Sequence, residues 1–240
     1  RGGGAAVSLI CGLDSSGKTA SVCFLTDGAI LYEQLLDDGL THSETLLPLL
    51  MEAFAATGTG PKDVALYAVT GGPGSFTGLR IGMALVKGLA LPCGTPAVQV
   101  PTLRALATAC GQAGVVVPAL DARRGEVYWA AFQGAAPVVR LHADTAGSAD
   151  AAAAFACKQP DGAIFVGDGA KICYNACNCP LGVRLWPAQD GLNIARGAAQ
   201  AAHARWHPGG KPPAAALRPN YLRLSQAERQ RAQRSNDNGS

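Results

Sequence analysis

Apolar residues fall along this chain in short runs that switch between two periods. Val7 to Leu13, Ala20 to Leu25 and Ala29 to Leu36 have strand length, and Thr26-Asp27-Gly28 between the last two is a hairpin signal. Thr41-His42-Ser43-Glu44 then opens a helical stretch with Leu46, Leu47, Leu49, Leu50 and Phe54, which Gly58 to Pro61 ends. Pro48 must lie near the first turn of that helix or kink it. A strand over 64–70 runs into Gly71-Gly72-Pro73-Gly74-Ser75-Phe76-Thr77-Gly78, and a helix from Gly78 to Leu91 leaves that turn. Ser75 or Thr77 is placed to cap it.

The pattern then repeats loosely. Ala97 to Val100 predicts a strand and Thr102 to Cys110 a helix. Val115 to Leu120 and Glu126 to Phe132 predict two strands joined by Asp121-Ala122-Arg123-Arg124-Gly125. The alanine-rich residues 146–157 predict a helix, Ile164 to Gly167 a strand, and Asp168-Gly169-Ala170 the start of another helix. Leu192 to Trp206 is the last helix, ended by Pro208-Gly209-Gly210. Hairpins that feed helices twice over predict an α/β protein of two similar lobes. The first lobe is expected over 1–103, with the helix at about 190–207 packing back on it. The second is expected over 104–189, and 208–240 forms a C-terminal segment with a mobile basic tail.

The helix at 78–91 is apolar nearly all round. Only Arg80 and Lys87 interrupt it, and at a spacing of seven they share one face. Such a helix is buried on more than one side. Gly78 and Gly82 leave a small-residue groove where a second helix could pack closely. Two readings stand: a core helix within one domain, or a helix whose second face meets a partner protein. Gly82→Arg is the substitution that the second reading singles out.

Composition narrows the class. The chain has 240 residues, 48% of them hydrophobic and 15% charged, which marks a globular protein with a sizeable core. No apolar run reaches bilayer length and no apolar leader follows Arg1-Gly2-Gly3-Gly4, so a cytoplasmic protein is expected. The net charge of +3 is uneven. Residues 201–240 hold seven basic and two acidic groups, net +5, which leaves −2 for residues 1–200. The tail from Gln226 to Ser240, with Arg229, Arg231 and Arg234, is either solvated or a contact for RNA phosphates. Eight cysteines without a secretion signal read as reduced thiols. Cys157, Cys173, Cys177 and Cys179 lack the paired spacing of zinc knuckles, so no metal is expected there.

Two motifs tempt a catalytic reading. Gly12-Leu13-Asp14-Ser15-Ser16-Gly17-Lys18-Thr19 matches the phosphate-loop pattern letter for letter, but a strand-like run follows it where that motif needs a helix. The same hairpin fits the actin and hexokinase type of fold, where an acidic residue ends the first strand and a small-residue turn faces nucleotide phosphates. Asp14, Ser15 and Ser16 would hold that place, with Asp121 to Gly125 as the equivalent hairpin of the second lobe and Gly167-Asp168-Gly169-Ala170 as a nucleotide-contacting turn. Large Arg123 and Arg124 occupy the turn where small residues normally admit phosphate. His203 and His207 share a helix face but lack a third metal ligand. No serine elbow or Ser/His/Asp set emerges from the order of residues.

The stretch from Gly71 to Gly82 resembles the signature of the bacterial TsaB (YeaZ) family. Supporting matches are Leu13-Asp14-Ser15-Ser16, His42-Ser43-Glu44 with Leu46-Leu47-Pro48, Lys87-Gly88-Leu89-Ala90, Leu120 to Tyr128, and Pro219-Asn220-Tyr221-Leu222-Arg223. The resemblance implies two actin-like lobes of the ribonuclease H-like class, each a mixed sheet with helices. It implies a non-catalytic scaffold subunit in making threonylcarbamoyladenosine at position 37 of tRNA. That subunit pairs with a catalytic TsaD-type subunit, is joined by a TsaE-type ATPase, and can form a homodimer. Docking through helices at about 43–57 and 78–91 would use Leu46, Leu50, Gly78, Gly82, Leu85, Val86 and Leu89. ATP or ADP binding at Asp14, Ser15 and Ser16 would be weak or vestigial, with no cofactor required. The catalytic relatives carry a His-x-x-x-His metal motif after the strand that here ends at Val100, and Pro101 to Ala107 holds no histidine. The rival reading is an independent actin-like ATPase or small-molecule kinase using Asp14, Asp121 and the Gly167 turn.

Overall fold

The computed structural model describes residues 8–37, 39, 41–135, 137–178, 181–187, 192–206 and 212–223. The first sheet takes β1 (Leu9–Asp14), β2 (Ala20–Thr26) and β3 (Ala29–Leu36), then α1 (His42–Thr57), β4 (Val64–Thr70), α2 (Phe76–Cys93) and β5 (Ala97–Val100) follow. Its strand order is β3-β2-β1-β4-β5, with the first three strands antiparallel and β1, β4 and β5 parallel. The chain then forms α3 (Thr102–Cys110), β6 (Val115–Asp121), β7 (Glu126–Gln133), β8 (Val139–Ser148), α4 (Ala149–Cys157), β9 (Ala163–Val166), α5 (Ala170–Asn175) and β10 (Val183–Leu185). The second sheet runs β10-β9-β6-β7-β8, the same hairpin-plus-parallel topology read from the other edge. The last helix is α6 (Ile194–His203), and a 3-10 turn at Ala214–Ala216 follows. The fold is therefore the two-lobed actin-like arrangement.

Alternation along the central strands sorts the core into layers. Leu9, Cys11 and Leu13 of β1 join Val22, Phe24, Tyr67 and Val69 under α1 and α2. Ile10, Leu25 and Leu66 point the other way, into a layer filled by α3 and α6. That layer also takes Val116, Phe132 and Ile164 from the second sheet, so both lobes share one core. Beyond the second sheet, α4 and α5 cover Val117, Trp129 and Phe165. Both faces of β1 and β2 are buried, which is why their sequences are continuously apolar.

Close approach of α6 depends on absent side chains. A Cβ on Gly12 would overlap the Ala195 carbonyl oxygen, and one on Gly197 would overlap the Ala105 carbonyl oxygen. Ala195, Ala198 and Ala199 keep the rest of that face thin and are fully buried.

The two apolar helices of the first lobe differ from the sequence expectation. Leu46, Leu50, Gly78, Gly82 and Val86, expected at a docking surface, are buried inside the lobe, because this face of α1 and α2 covers the first sheet. A Cβ on Gly78 would overlap the Ser15 carbonyl oxygen, and one on Gly82 would press on Ser15 Oγ. Gly82→Arg is thus a folding lesion and not a probe of a surface. Leu85 and Leu89 are half-buried at the margin. The outward face of α2 carries Thr77, Arg80, Ala84, Gly88 and Leu91. This 18-residue helix has the length and hydropathy of a membrane span, and its buried Leu79, Met83, Val86 and Ala90 place it in the protein core.

β8 was not expected. Residues 146–148 belong to it, and the helix begins only at Ala149. Its alternation is inverted: Val139 and Leu141 face solvent, whereas His142 stacks on Trp129 at 4.1 Å and Arg140 lies 4.7 Å from the Phe132 ring. Arg140 also pairs with Asp144.

Two glycine substitutions should separate packing from propensity. Gly197→Val should lower unfolding free energy by about 1–3 kcal/mol or more through overpacking against Ala105. Gly88→Ala, exposed in mid-helix with open space around it, should raise it by about 0.5–1 kcal/mol. Urea titration followed by circular dichroism reads both.

Candidate functional site

The two β-hairpins face each other across a cleft. A cavity of about 430 Å³ is lined there by Gly17 and Lys18 of the first hairpin, Asp121 and Arg123 of the second, and Tyr221 and Arg223 from the C-terminal segment. Its location follows from topology, since both hairpins cross the same end of their sheets.

The first hairpin is occupied by its own chain. Asp14 Oδ1 accepts from Ser16 N at 3.1 Å, Ser16 Oγ at 2.6 Å and Thr70 Oγ1 at 2.6 Å. Asp14 is fully buried, and its Oδ2 has no hydrogen-bond partner. Burial pushes its carboxyl above the ordinary range, against the opposing pull of the Ser16 and Thr70 hydrogen bonds and of His42. Ser15 Oγ donates to the Gly78 carbonyl at 2.9 Å, Ser75 N donates to the Ser16 carbonyl at 2.7 Å, and His42 Nε2 donates to the Gly17 carbonyl at 2.9 Å. Gly74 and Gly78 sit where a Cβ would press on the loop backbone. Ser75 Oγ caps α2 by accepting from Gly78 N at 3.2 Å. β2 follows Thr19 directly and pairs antiparallel with β1, so no helix N-terminus stands behind Lys18 to receive phosphate.

The second hairpin is more open, with Asp121 exposed at the cleft. Asp121 Oδ1 accepts from Arg123 N at 2.7 Å, and Asp168 Oδ1 accepts from Asp121 N at 2.9 Å. Burial raises the Asp168 carboxyl, opposed by the hydrogen bond from Asp121 N and reinforced by the Asp121 charge. Arg123 and Arg124 hold left-handed backbone at φ 64° and 58°, a conformation that glycine would take more easily. Gly167 is required by its sheet, because a Cβ there would overlap the Ala119 carbonyl oxygen.

Of the C-terminal strap over 212–223, only Pro219 to Arg223 was matched in sequence, and it was given no structural role. Ala97 N donates to the Pro212 carbonyl, Arg218 N to Gln99 Oε1, and Asn220 N to the Gly71 carbonyl. Phe76 and Tyr221 stack at 4.3 Å, with Arg80 over Phe76 at 3.9 Å and bonded to Tyr221 Oη at 2.9 Å. Arg223 then reaches Glu126 of the second lobe at 2.5 Å. The alternation of aromatic and arginine at Tyr221 and Arg223 is the one sequence signal that could have found this clamp.

Other candidates stand apart from the cleft. His203 lies against Gly28, and His207 falls outside the described residues. Cys173 is buried and its thiol is pushed up to about 12; Cys177 is pushed up to about 11, first by burial and then by Cys157. Cys179 and the tail from Gln226 to Ser240 lie outside the described residues. Among the described residues no group of three His, Cys, Asp or Glu side chains is placed to hold a metal ion.

A family model described as TsaD, tRNA N6-adenosine threonylcarbamoyltransferase, matches residues 39–162. The chain is 36% identical over 127 residues to the tRNA threonylcarbamoyladenosine biosynthesis protein TsaB of Escherichia coli (strain K12), covering 52% of this chain and 54% of that protein. It thus spans about half the length of the TsaB relatives it matches. An uncharacterized protein of Mycobacterium tuberculosis (strain ATCC 25618 / H37Rv) is 33% identical over 170 residues, 64% of this chain and 80% of its own. The solved structure of YeaZ from Pseudomonas aeruginosa superposes with a TM-score of 0.74 at 26% identity, over 90% of this chain and all of that one. The self-bonded hairpins, the Gly71–Gly82 turn and these matches agree, and the chain belongs to the TsaB (YeaZ) family.

Proposed function

We propose that this chain is a non-catalytic partner subunit for threonylcarbamoyl transfer to adenosine 37 of tRNA, acting through a TsaD-type catalytic subunit. The observation that carries the reading is the Asp14 hairpin. One oxygen of its buried carboxylate is spent on holding the loop, and the Ser16 and Gly17 carbonyls are taken by Ser75 and His42, so Asp14 is turned away from the cleft that Gly17 and Lys18 line. Family membership supports the reaction, and the buried, self-bonded Asp14 supports the non-catalytic role. The rival kinase reading needs Asp14 to face a nucleotide, and Asp14 is buried and engaged within its own turn, whereas Asp121 is exposed at the cleft with one oxygen bonded to Arg123 N. ATP or ADP is no requirement of this role.

Docking falls to the outer face of α1 and α2. Leu47 and Met51 are one turn apart on α1, and Leu91 follows Ala84 and Gly88 on the exposed stripe of α2. Leu85 and Leu89 flank that stripe. A TsaD-type subunit is the proposed occupant, with a second copy of this chain competing for the same face and a TsaE-type ATPase joining the pair. Contact with tRNA is indirect or runs through the basic tail.

A reconstitution tests the role. With tRNA and threonylcarbamoyl-adenylate supplied, product should need both this chain and a TsaD-type subunit, and product from this chain alone would sink the reading. Met51→Asp with Leu91→Asp should weaken pairing at least tenfold without lowering the melting temperature, since both side chains are half exposed.

The buried carboxyl makes a second prediction. A folded pKa above the unfolded value means that the unfolded chain releases its proton first, so Asp14 costs stability as pH rises through and above the ordinary carboxylate range. Asp14→Asn should therefore melt at or above the wild type at pH 7.5, and the difference should shrink as pH falls toward ~4. Asp14→Ala should melt lower at both, because Ser16 and Thr70 lose their acceptor. A wild type that gains on the Asn variant as pH rises would show a carboxylate stabilised by a charge, as a nucleotide-metal site requires.

A further inference from the structure

A second cavity lies on the far side of the first sheet from α1 and α2, where α3 and α6 meet the end of β5. The two helices run antiparallel and touch where Gly197 lies on the Ala105 carbonyl; Arg196 also bonds the Ala109 carbonyl at 3.3 Å. Toward the other end of the pair the small side chains of Ala201 and Ala202 leave space unfilled. The result is a cavity of about 340 Å³, within the ~300–1,000 Å³ typical of small-ligand sites. Its walls are apolar: Val98 and Val100 from β5, Pro101 at the start of α3, Ala202 and Trp206 from α6 and the segment after it, and Pro212 from the strap.

Its charge is one-sided. Arg104 and Arg205 both line the cavity, and among the described residues neither has a carboxylate partner. Arg104 is half-buried; it donates from one terminal nitrogen to the Val138 carbonyl at 3.0 Å, and its guanidinium lies 5.5 Å from the Phe132 ring. Burial, Arg205 and Arg140 all disfavour its charge, and Asp144, the one acid in range, is already paired with Arg140. A guanidinium stays protonated under any such pressure, so the cavity keeps two positive charges beside an apolar floor. A half-buried cation with a second, exposed cation beside it is a standing cost, which an anion seated between them would remove.

We propose that this pocket binds a small amphipathic anion, with an aliphatic or aromatic body on Val98, Val100, Ala202 and Trp206 and a carboxylate or phosphate head between Arg104 and Arg205. The site is separate from the hairpin cleft and from the outer face of α1 and α2, so its occupancy is independent of the subunit role. Carboxylates and phosphate monoesters share the recognising chemistry, and the test separates them.

The full chain is titrated by calorimetry with octanoate, octyl phosphate, octanol and octyltrimethylammonium. Saturable one-to-one binding of octanoate or octyl phosphate is expected, with the tighter of the two naming the head group. Octanol and the cation should bind at least about tenfold more weakly, the share that charged hydrogen bonds contribute. Arg104→Gln with Arg205→Gln should bring the anions down to the level of octanol and leave octanol unchanged. Ala202→Phe should fill the floor and remove all binding; Val98→Phe serves the same end if that variant fails to fold. Absence of saturable binding, octanol binding as tightly as octanoate, or anion binding that survives the double arginine variant would each overturn the proposal.

Discussion

The contact on which the first lobe depends is the bare backbone of Gly78 against the Ser15 carbonyl. With no Cβ in the way, the start of α2 sits directly on the β1–β2 loop, and Ser15 Oγ and Ser75 N close the seam by hydrogen bonds. Three consequences follow. The loop that faces phosphate in actin-like enzymes is here covered from behind and bonded to its own fold. Asp14 is turned into the protein, where its desolvation is offset by three donors on one oxygen. The inner face of α2 is consumed by the sheet, so any partner must use the outer face.

Much of the fold was legible because period and punctuation agreed. β1, β2, β4 and β6 are continuous apolar runs between glycine turns, and α3 and α6 begin and end near the expected residues. β8 was missed for a physical reason: its apolar residues point outward and its polar residues pack inward by stacking and ion pairing, so hydrophobic alternation gave no interior face. The docking residues were misplaced for another. A helix rich in leucine along most of its circumference does not announce which side the sheet takes, and Leu46, Leu50 and Val86 took the inner side. Glycine spacing misled in the same way, since Gly78 and Gly82 serve Ser15 of the same chain and not a partner helix. The strap was unreadable in role because its contacts span more than a hundred residues of sequence, as between Arg80 and Tyr221.

Duplicated topology makes the asymmetry of the outer layers informative. Both sheets carry an outer helix pair, but the exposed positions of α4 are Asp150, Ala151, Ala154 and Cys157, with no large apolar side chain among them, whereas α1 and α2 expose Leu47, Met51 and Leu91. The strap joins the lobes through Arg223 and Glu126 at the cleft, and it also borders the outward face of α2, where Arg80 bonds Tyr221 Oη. The outer face of the first lobe is thus the apolar platform of the two helical layers.

Magnitudes indicate how that platform can be used. Leu47, Met51 and Leu91 are 46%, 52% and 54% exposed, so about half of the ~1.5–3 kcal/mol that full burial of each would yield remains to be gained. Three such residues contribute on the order of 2–5 kcal/mol per copy, and a symmetric pair buries both sets, on the order of 4–9 kcal/mol, which falls within the ~4–15 kcal/mol lost in translational and rotational freedom on association. These side chains alone therefore leave a symmetric pair near break-even. Ala84 and Gly88 help by letting a facing helix approach closely, and the half-buried margins at Ile81, Leu85 and Leu89 add area only to a partner long enough to reach them. A second copy offers the same three leucine-type anchors and little more. In the docking proposed above, a larger subunit with its own apolar helices would gain the contact area that a second copy lacks.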